Sequence, residues 1–292
     1  MHLGKGIFYS EAKEHWDHFD RQVINEEAAP MISRILPIKK GYNFRELGDY
    51  QTLDGRRIKQ QRLFRTGHLA QLDKHDLMLL ARYPITQVVD FRSPLERKQA
   101  PDKKIATATY ESIPIFKEDA TQSMATEVEL YERYTNNPLG GQQQMRQVYR
   151  DMVQDPYSIL KYRQFFERLL TEAHPEQAFL FHCTGGKDRT GMAAYYLLNV
   201  LGVPAATIRY DYLLSNTASR EHVAARIKAL RQKDASSGFL KSMHALMSVD
   251  QSYLQAAEIL IDQEYGSTQG FIRHALGLTH SDIEQLRAIY LE

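Results

Sequence analysis

The sequence has one cysteine, one tryptophan and almost no net charge in 292 residues. With Cys183 alone, no intrachain disulfide can form and no zinc site built from several thiolates can exist. The balance of 37 Lys+Arg against 36 Asp+Glu leaves +1, so no basic surplus awaits a nucleic-acid backbone. No apolar run approaches the roughly 18 residues of a membrane span. The longest candidate, Met192 to Val203, is interrupted by Asn199 and Gly202. The segment MHLGKGIFYSEAKEHWDHFD holds no apolar core of a secretory signal. The expectation is a cytoplasmic protein, with export by a route that needs no such signal left open.

What is present is the composition of an ordinary globule, 43% hydrophobic and 25% charged, long enough to bury a core without staples. No repeat, low-complexity tract or long flexible linker divides it, so one domain over 1–292 is expected. Within 1–40, Trp16, Phe19 and Val23 fall at helical spacing and predict a helical arm. Asp54-Gly55 marks a hairpin over 48–58. Arg62–Thr66, Ile85–Phe91, Tyr110–Ile115 and Ala178–His182 read as strands, the second and last covered on both faces. Asp73 caps a helix whose apolar face is Leu77, Met78, Leu80 and Ala81. Asp155-Pro156 opens a helix reaching Ala173, with Ile159, Leu160, Phe166, Leu169 and Leu170 toward a core.

The polar stretch 117–147 suits two helices joined at Asn136–Gly141. It is read either as a packed hairpin or as a helical lid carrying Leu130, Tyr131 and Tyr134 over a site. Residues 189–201 form an apolar, hence central, helix. Another helix runs from Pro204 to about Asn216, and 219–292 reads as helical, punctuated by Gly238, Gly266 and Gly277. Ser281–Glu284 is a capping box for the last helix. Alternating strands and helices followed by helices predict an α/β fold with a helical C-terminal part.

The lone cysteine lies at a strand-to-helix junction, Phe181-His-Cys-Thr-Gly-Gly-Lys-Asp-Arg-Thr-Gly191. Adjacent Gly185 and Gly186 allow positive φ, and successive N–H groups in such a turn can form an anion nest. The helix N-terminus adds partial positive charge. The loop Thr184, Gly185, Gly186, Lys187, Asp188, Arg189 therefore suits a phosphate-sized dianion. A thiol there, beside Lys187 and Arg189, is brought down toward a thiolate aimed at phosphorus. Arg189 can hold two oxygens bidentately. Thr190 offers the sulfur a hydroxyl when it later leaves. A Walker loop fits poorly, because Lys187 is followed by Asp188 rather than Ser or Thr.

This segment resembles the signature loop of Cys-dependent protein tyrosine phosphatases. It is most similar to the bacterial and fungal tyrosine/serine phosphatase family with Lys-Asp inside the loop. Asn43–Tyr50, Leu63–Gly67, Val89–Arg92 and Asp211–Asn216 match that family too, and the resemblance runs from about residue 30 to the end. It implies a central, mainly parallel sheet between helices. It also implies metal-independent, cofactor-free hydrolysis of phosphotyrosine, with phosphoserine/threonine proteins and phosphoinositides as further substrates.

The chain departs from many tyrosine phosphatases in lacking a Trp-Pro-Asp loop; its one Trp is Trp16. The acid for the leaving oxygen is therefore open. The family places an Asp where Asp188 stands, which makes Asp188 the first candidate. Asp90, at the end of a strand, is second, its alternative being a buried pair with Arg92 or Arg65; Asp151 and Asp155 follow. His182, a secondary candidate, is read as orienting the Cys183 backbone rather than acting as a base, Arg45, Arg65 and Arg92 as structural, and Asp211 and Asn216 as braces of the loop. Lys187 meets a second phosphate, which favours inositol substrates, or only tunes Cys183, or sits in solvent. The rivals are an inositol-polyphosphate phosphatase, a phosphate-binding module without turnover, and a rhodanese-like sulfurtransferase, against which Arg189-Thr190 speaks.

Overall fold

The structure, a computed structural model, describes residues 34–171 and 176–292. The helical arm expected over 1–40 lies outside the described residues up to 33. Beyond them the chain is not helical: Ile35 forms an isolated bridge with Arg45, and the Lys39 and Lys40 N–H groups donate to the Asp76 carboxylate.

Five strands form one sheet. They are β1 (Arg45–Glu46), β2 (Leu63–Thr66), β3 (Ile85–Asp90), β4 (Thr109–Ser112) and β5 (Ala178–His182), in the order β1-β2-β5-β3-β4. Only β1 runs antiparallel to its neighbour. Successive side chains of a strand point to opposite faces, so β5 serves two cores. Phe179 and Phe181 enter the larger one, and Ala178 and Leu180 the smaller. This is why the strand reads as an unbroken apolar run. The parallel register pairs both Thr66 and Asp90 with His182. The ends of β2, β3 and β5 thus meet at one edge, the place where open α/β sheets bind ligands.

Helix α1 (Lys74–Leu80) is capped by Asp73, whose side chain accepts from the Asp76 N–H. Its buried residues are Asp76 and Leu80, while Met78 is 62% exposed and Ala81 is exposed. The expected apolar face is thus rotated, because Asp76 turns inward to hold the Lys39–Lys40 backbone. Helix α2 (Pro94–Gln99) starts from a Ser93–Glu96 capping box. The 117–147 stretch contributes α3 (Glu127–Tyr134) and the start of α4 (Gly140–Gln154), joined by the expected turn. Helix α5 (Pro156–Thr171) buries Ser158, Tyr162, Phe165, Phe166 and Leu169. Leu160 lies off that face and is 46% exposed, contrary to expectation.

The central helix α6 (Arg189–Val200) buries all but one of its residues, Asn199. Helices α7 (Ala205–Ala218), α8 (Arg220–Arg231), α9 (Ser237–Met247), α10 (Gln251–Tyr265), α11 (Thr268–His274) and α12 (His280–Tyr290) complete the helical C-terminal part. Gly238 lies inside α9 and breaks nothing. The last capping box is Thr279–Asp282, two residues before the expected one. That register places Leu278 at N′ and Ile283 at N4, both in the large core, as a hydrophobic staple requires. A cap at Ser281 would put His280 and Gln285 there, and both are exposed.

Candidate active site

The loop between β5 and α6 is held from outside by its carbonyl groups. Arg65 Nη2 donates to the Gly186 carbonyl at 2.9 Å and Asn43 Nδ2 to that of Gly185 at 3.0 Å. The Thr184 carbonyl accepts from Tyr42 OH at 3.3 Å and from the His68 N–H at 3.1 Å. A trans peptide is planar, so its N–H points opposite to its carbonyl. Gripping these carbonyls turns the following N–H groups to the other side. Among the described residues, no backbone N–H from Thr184 to Arg189 donates to a protein acceptor. Gly186 has φ +66°, and a Cβ there would lie 2.2 Å from the Thr66 carbonyl oxygen. Only glycine fits so close to β2 in that conformation.

Behind the loop, Asp211 receives Arg45 Nε at 3.3 Å, Arg65 Nη1 at 2.6 Å and Tyr50 OH at 3.1 Å, all buried. Burial works against its charge, and the two guanidinium groups overcome that, holding its carboxyl below the ordinary range. Asp211 thus braces the loop through Arg65, and Arg45 donates to Asn43 Oδ1 as well. Asn216 does not brace the loop. It exchanges hydrogen bonds with the Val249 backbone instead.

Cys183 is 1% exposed, at the start of the loop. Next to it His182 faces the Cys183 carbonyl oxygen with Nδ1 at 3.2 Å and Asp102 Oδ2 with Nε2 at 3.2 Å. Burial alone would lower its pKa, but Asp90 and Asp102 raise it above the ordinary histidine value. Asp90 itself is engaged by Arg92 through Nε and Nη2, the latter at 2.8 Å, and Arg92 also reaches Asp102 at 2.7 Å. Asp90, Asp102 and His182 bring ligand-type atoms together, yet the Arg92 guanidinium already supplies their cation. Asp90 therefore takes its alternative role, a buried pair with Arg92. Asp155 caps the start of α5, and Asp151 accepts from Gln147 along α4.

Arg189 is buried and clamped by a residue that the loop sequence does not reveal. Its Nη1 and Nη2 donate to the two oxygens of Glu96 at 2.7 and 2.8 Å, and Nη2 also to Thr121 Oγ1 at 3.1 Å. Burial opposes the Glu96 charge. Arg189 and the Ser123 and Thr184 hydroxyls outweigh it and hold the carboxyl well below its usual range. Arg189 Nε and Thr190 Oγ1 remain buried without a hydrogen-bond partner among the described residues. Such groups are costly unless something else satisfies them. The sequence signal for Glu96 was the capping box Ser93-Pro-Leu-Glu96, which names a helix start but not its distant partner.

A cavity of about 290 Å³ opens on the loop. Its floor is Thr184, Gly185, Lys187, Asp188 and Arg189, and its apolar wall includes Leu130, Met243, Leu246 and Met247. Arg226 and His222 line it from α8, with His222 stacked on Tyr42 at 3.9 Å between ring centroids. Asp188 accepts from Lys187 Nζ at 2.7 Å and from Tyr149 OH at 3.1 Å. Of the 117–147 stretch, Leu130 lines the cavity. Tyr134 is buried beside it, and Tyr131 lies edge-on against Phe239. Tyr42, Glu96, Thr121, Ser123, His222 and Arg226 are the site residues that sequence reading missed.

The sequence model of the tyrosine phosphatase family matches residues 36–292. A Cupriavidus necator protein that carries a provisional tyrosine-protein phosphatase name is 34% identical over 252 residues, 85% of each chain. Triple specificity protein phosphatase PtpB of Mycobacterium tuberculosis is 29% identical over 283 residues, covering 89% of this chain and 100% of the relative. A tyrosine-protein phosphatase of Nostoc commune is 26% identical over 238 residues, 76% of this chain and 72% of the relative.

Proposed function

The chain belongs to the tyrosine phosphatase family, and from that premise we propose that it hydrolyses phosphate monoesters through a phosphocysteine formed at Cys183. The observation that carries this reading is the row of N–H groups from Thr184 to Arg189. They are free of protein acceptors among the described residues, lie at the N-terminus of α6, and follow the only cysteine.

The thiolate sulfur attacks phosphorus as the bond to the leaving oxygen breaks. Asp188, on the cavity floor, gives that oxygen its proton. Arg189 and the loop N–H groups hold the three phosphoryl oxygens, most tightly as charge spreads in the transition state. The unpartnered Arg189 Nε is available for this while Glu96 keeps the guanidinium plane in place, so little reorganisation accompanies the reaction. Asp188, now a carboxylate, takes a proton from water attacking phosphorus. The phosphorus–sulfur bond breaks, and the Thr190 hydroxyl donates to the departing thiolate.

The apolar wall of Leu130, Met243, Leu246 and Met247 suits an aryl leaving group, which supports phosphotyrosine as substrate. The triple specificity in the name of the Mycobacterium tuberculosis relative supports more than one class of substrate, and the Lys187 and Arg226 cations lining the cavity suit a second phosphate, as on a phosphoinositide. No helix among the described residues is long and apolar enough to cross a membrane. A cytoplasmic setting fits a free catalytic thiol, which a reducing compartment preserves.

The test is phosphate release in EDTA from phosphotyrosine, phosphoserine and phosphothreonine peptides and from phosphoinositides, with Cys183→Ser alongside. Turnover by the native protein that vanishes in the variant is expected, and the ranking names the substrate class. No release from folded, reduced protein, or undiminished release from Cys183→Ser, overturns the mechanism.

A further inference from the structure

Beside the catalytic cavity lies a second one of about 490 Å³. Ser123 and Thr184 line both. A substrate anchored by its phosphoryl group can therefore reach the second cavity across the first residue of the loop. The divide is fixed: the Thr184 and Ser123 hydroxyls both donate to Glu96 Oε1, the carboxylate that clamps Arg189.

The charges that line this second cavity are unequal. Arg92 is taken up by Asp90, Asp102 and the Ala100 carbonyl, and Glu96 by Arg189. Lys103 is exposed and has no ion-pair partner among the described residues. Its neighbour Lys104 is set apart, 3.5 Å over the Tyr110 ring. His68 accepts the Ala70 N–H on Nδ1 at 3.2 Å, which leaves the ring proton on Nε2. Burial, and then the Arg92 charge, push the His68 pKa down to about 4, so near neutral pH it is an uncharged donor. The Gln71 and Gln99 amides line the same space. The cavity thus offers donors and one uncompensated cation, and every carboxylate on its wall is already engaged.

We propose that this cavity is a subsite for an acidic side chain flanking the phosphotyrosine of a peptide substrate, its carboxylate held by Lys103 and His68. The inference rests on the catalytic reading above. A peptide is favoured over an inositol headgroup because the first cavity has an apolar wall. An aryl ring loses nothing against that wall, whereas the inositol hydroxyls turned toward it would go unpaired.

The experiment compares kcat/KM for paired phosphotyrosine peptides that differ only in Glu or Gln at the flanking positions. Native protein, Lys103→Gln and Lys103→Glu are assayed at low and high salt. Native protein is expected to favour the Glu peptide about two- to fivefold at low salt, the range of a partly exposed ion pair, and less as salt rises. The preference should lie in KM. It should fall to near one in Lys103→Gln and invert in Lys103→Glu. A native ratio of one, or a preference untouched by Lys103→Gln, overturns the proposal. So does a Lys103 dependence confined to inositol bisphosphate over monophosphate. Failure to hydrolyse p-nitrophenyl phosphate would instead overturn the catalytic reading. Binding of the same two peptides to the Cys183→Ser protein then decides the subsite by the same ratio.

Discussion

Two sets of ion pairs flank the phosphate loop, and they differ in what water does to them. Behind the loop, Asp211 joins Arg45 and Arg65 with none of the three more than 1% exposed. In front, α8 and the turn after it meet α3 through Glu127, paired with Arg226 and Lys233, whose side chains are 39% and 61% exposed. The chemistry is the same and the consequence is opposite. A buried carboxylate between two guanidiniums cannot be removed without stranding charge in a low dielectric. An exposed one is replaced by solvent and ions. The rear network therefore sets the geometry of the loop, and the front one contributes wall residues with little rigidity.

The comparison breaks most visibly at Asp211. Asp211→Asn leaves two buried guanidiniums without their counter-charge, a cost of about 3–5 kcal/mol. Thermal unfolding should shift down by on the order of 10 °C, and a loss no larger than that of a surface variant would refute the distinction. Asp102→Asn sharpens it, because His182 is buried yet titrates. The raised His182 pKa means its contribution is complete below about pH 6.5 and is lost as pH rises through the folded value. The stability gap between native protein and variant should be on the order of 2 kcal/mol near pH 6. It should then narrow, without closing, toward alkaline pH, since the Arg92 pair is also lost. A gap flat across pH 5–9 in melting curves would show that His182 is not charged. The smallest effect belongs to Glu127→Gln, at most about 1 kcal/mol. It should disappear in high salt when measured by chemical denaturation.

The loop was legible in the sequence because its evidence is local: an apolar strand, two glycines, a cysteine and an apolar helix in consecutive residues. Of its supports, Asp211, Arg45 and Arg65 were legible and the rest were not. Glu96, Asp102, Tyr42 and His68 reach the loop from segments that only the strand order brings to one edge. Neither periodicity nor capping signals encode strand order. Where local rules compete, sequence reading slips by small steps. Thr279 and Ser281 both offer a capping box, and the buried Leu278–Ile283 pair decides between them. Met78 has the spacing of a core residue but loses its place to Asp76, whose backbone partners lie far back in the chain.

The strand order also governs when the site can come into being. β5 lies between β2 and β3, yet it is the last of the five to be synthesised. Until it arrives, the two older strands have no partner between them, and their apolar faces stay open to other chains. The sheet closes by inserting a late strand between early ones, a non-local step of the kind that slows folding. The same event that seals the core delivers Cys183 to its neighbours. A nascent chain on the ribosome thus carries the greatest aggregation hazard just before it gains its reactive thiol, and no partly made sheet can hold a working nucleophile.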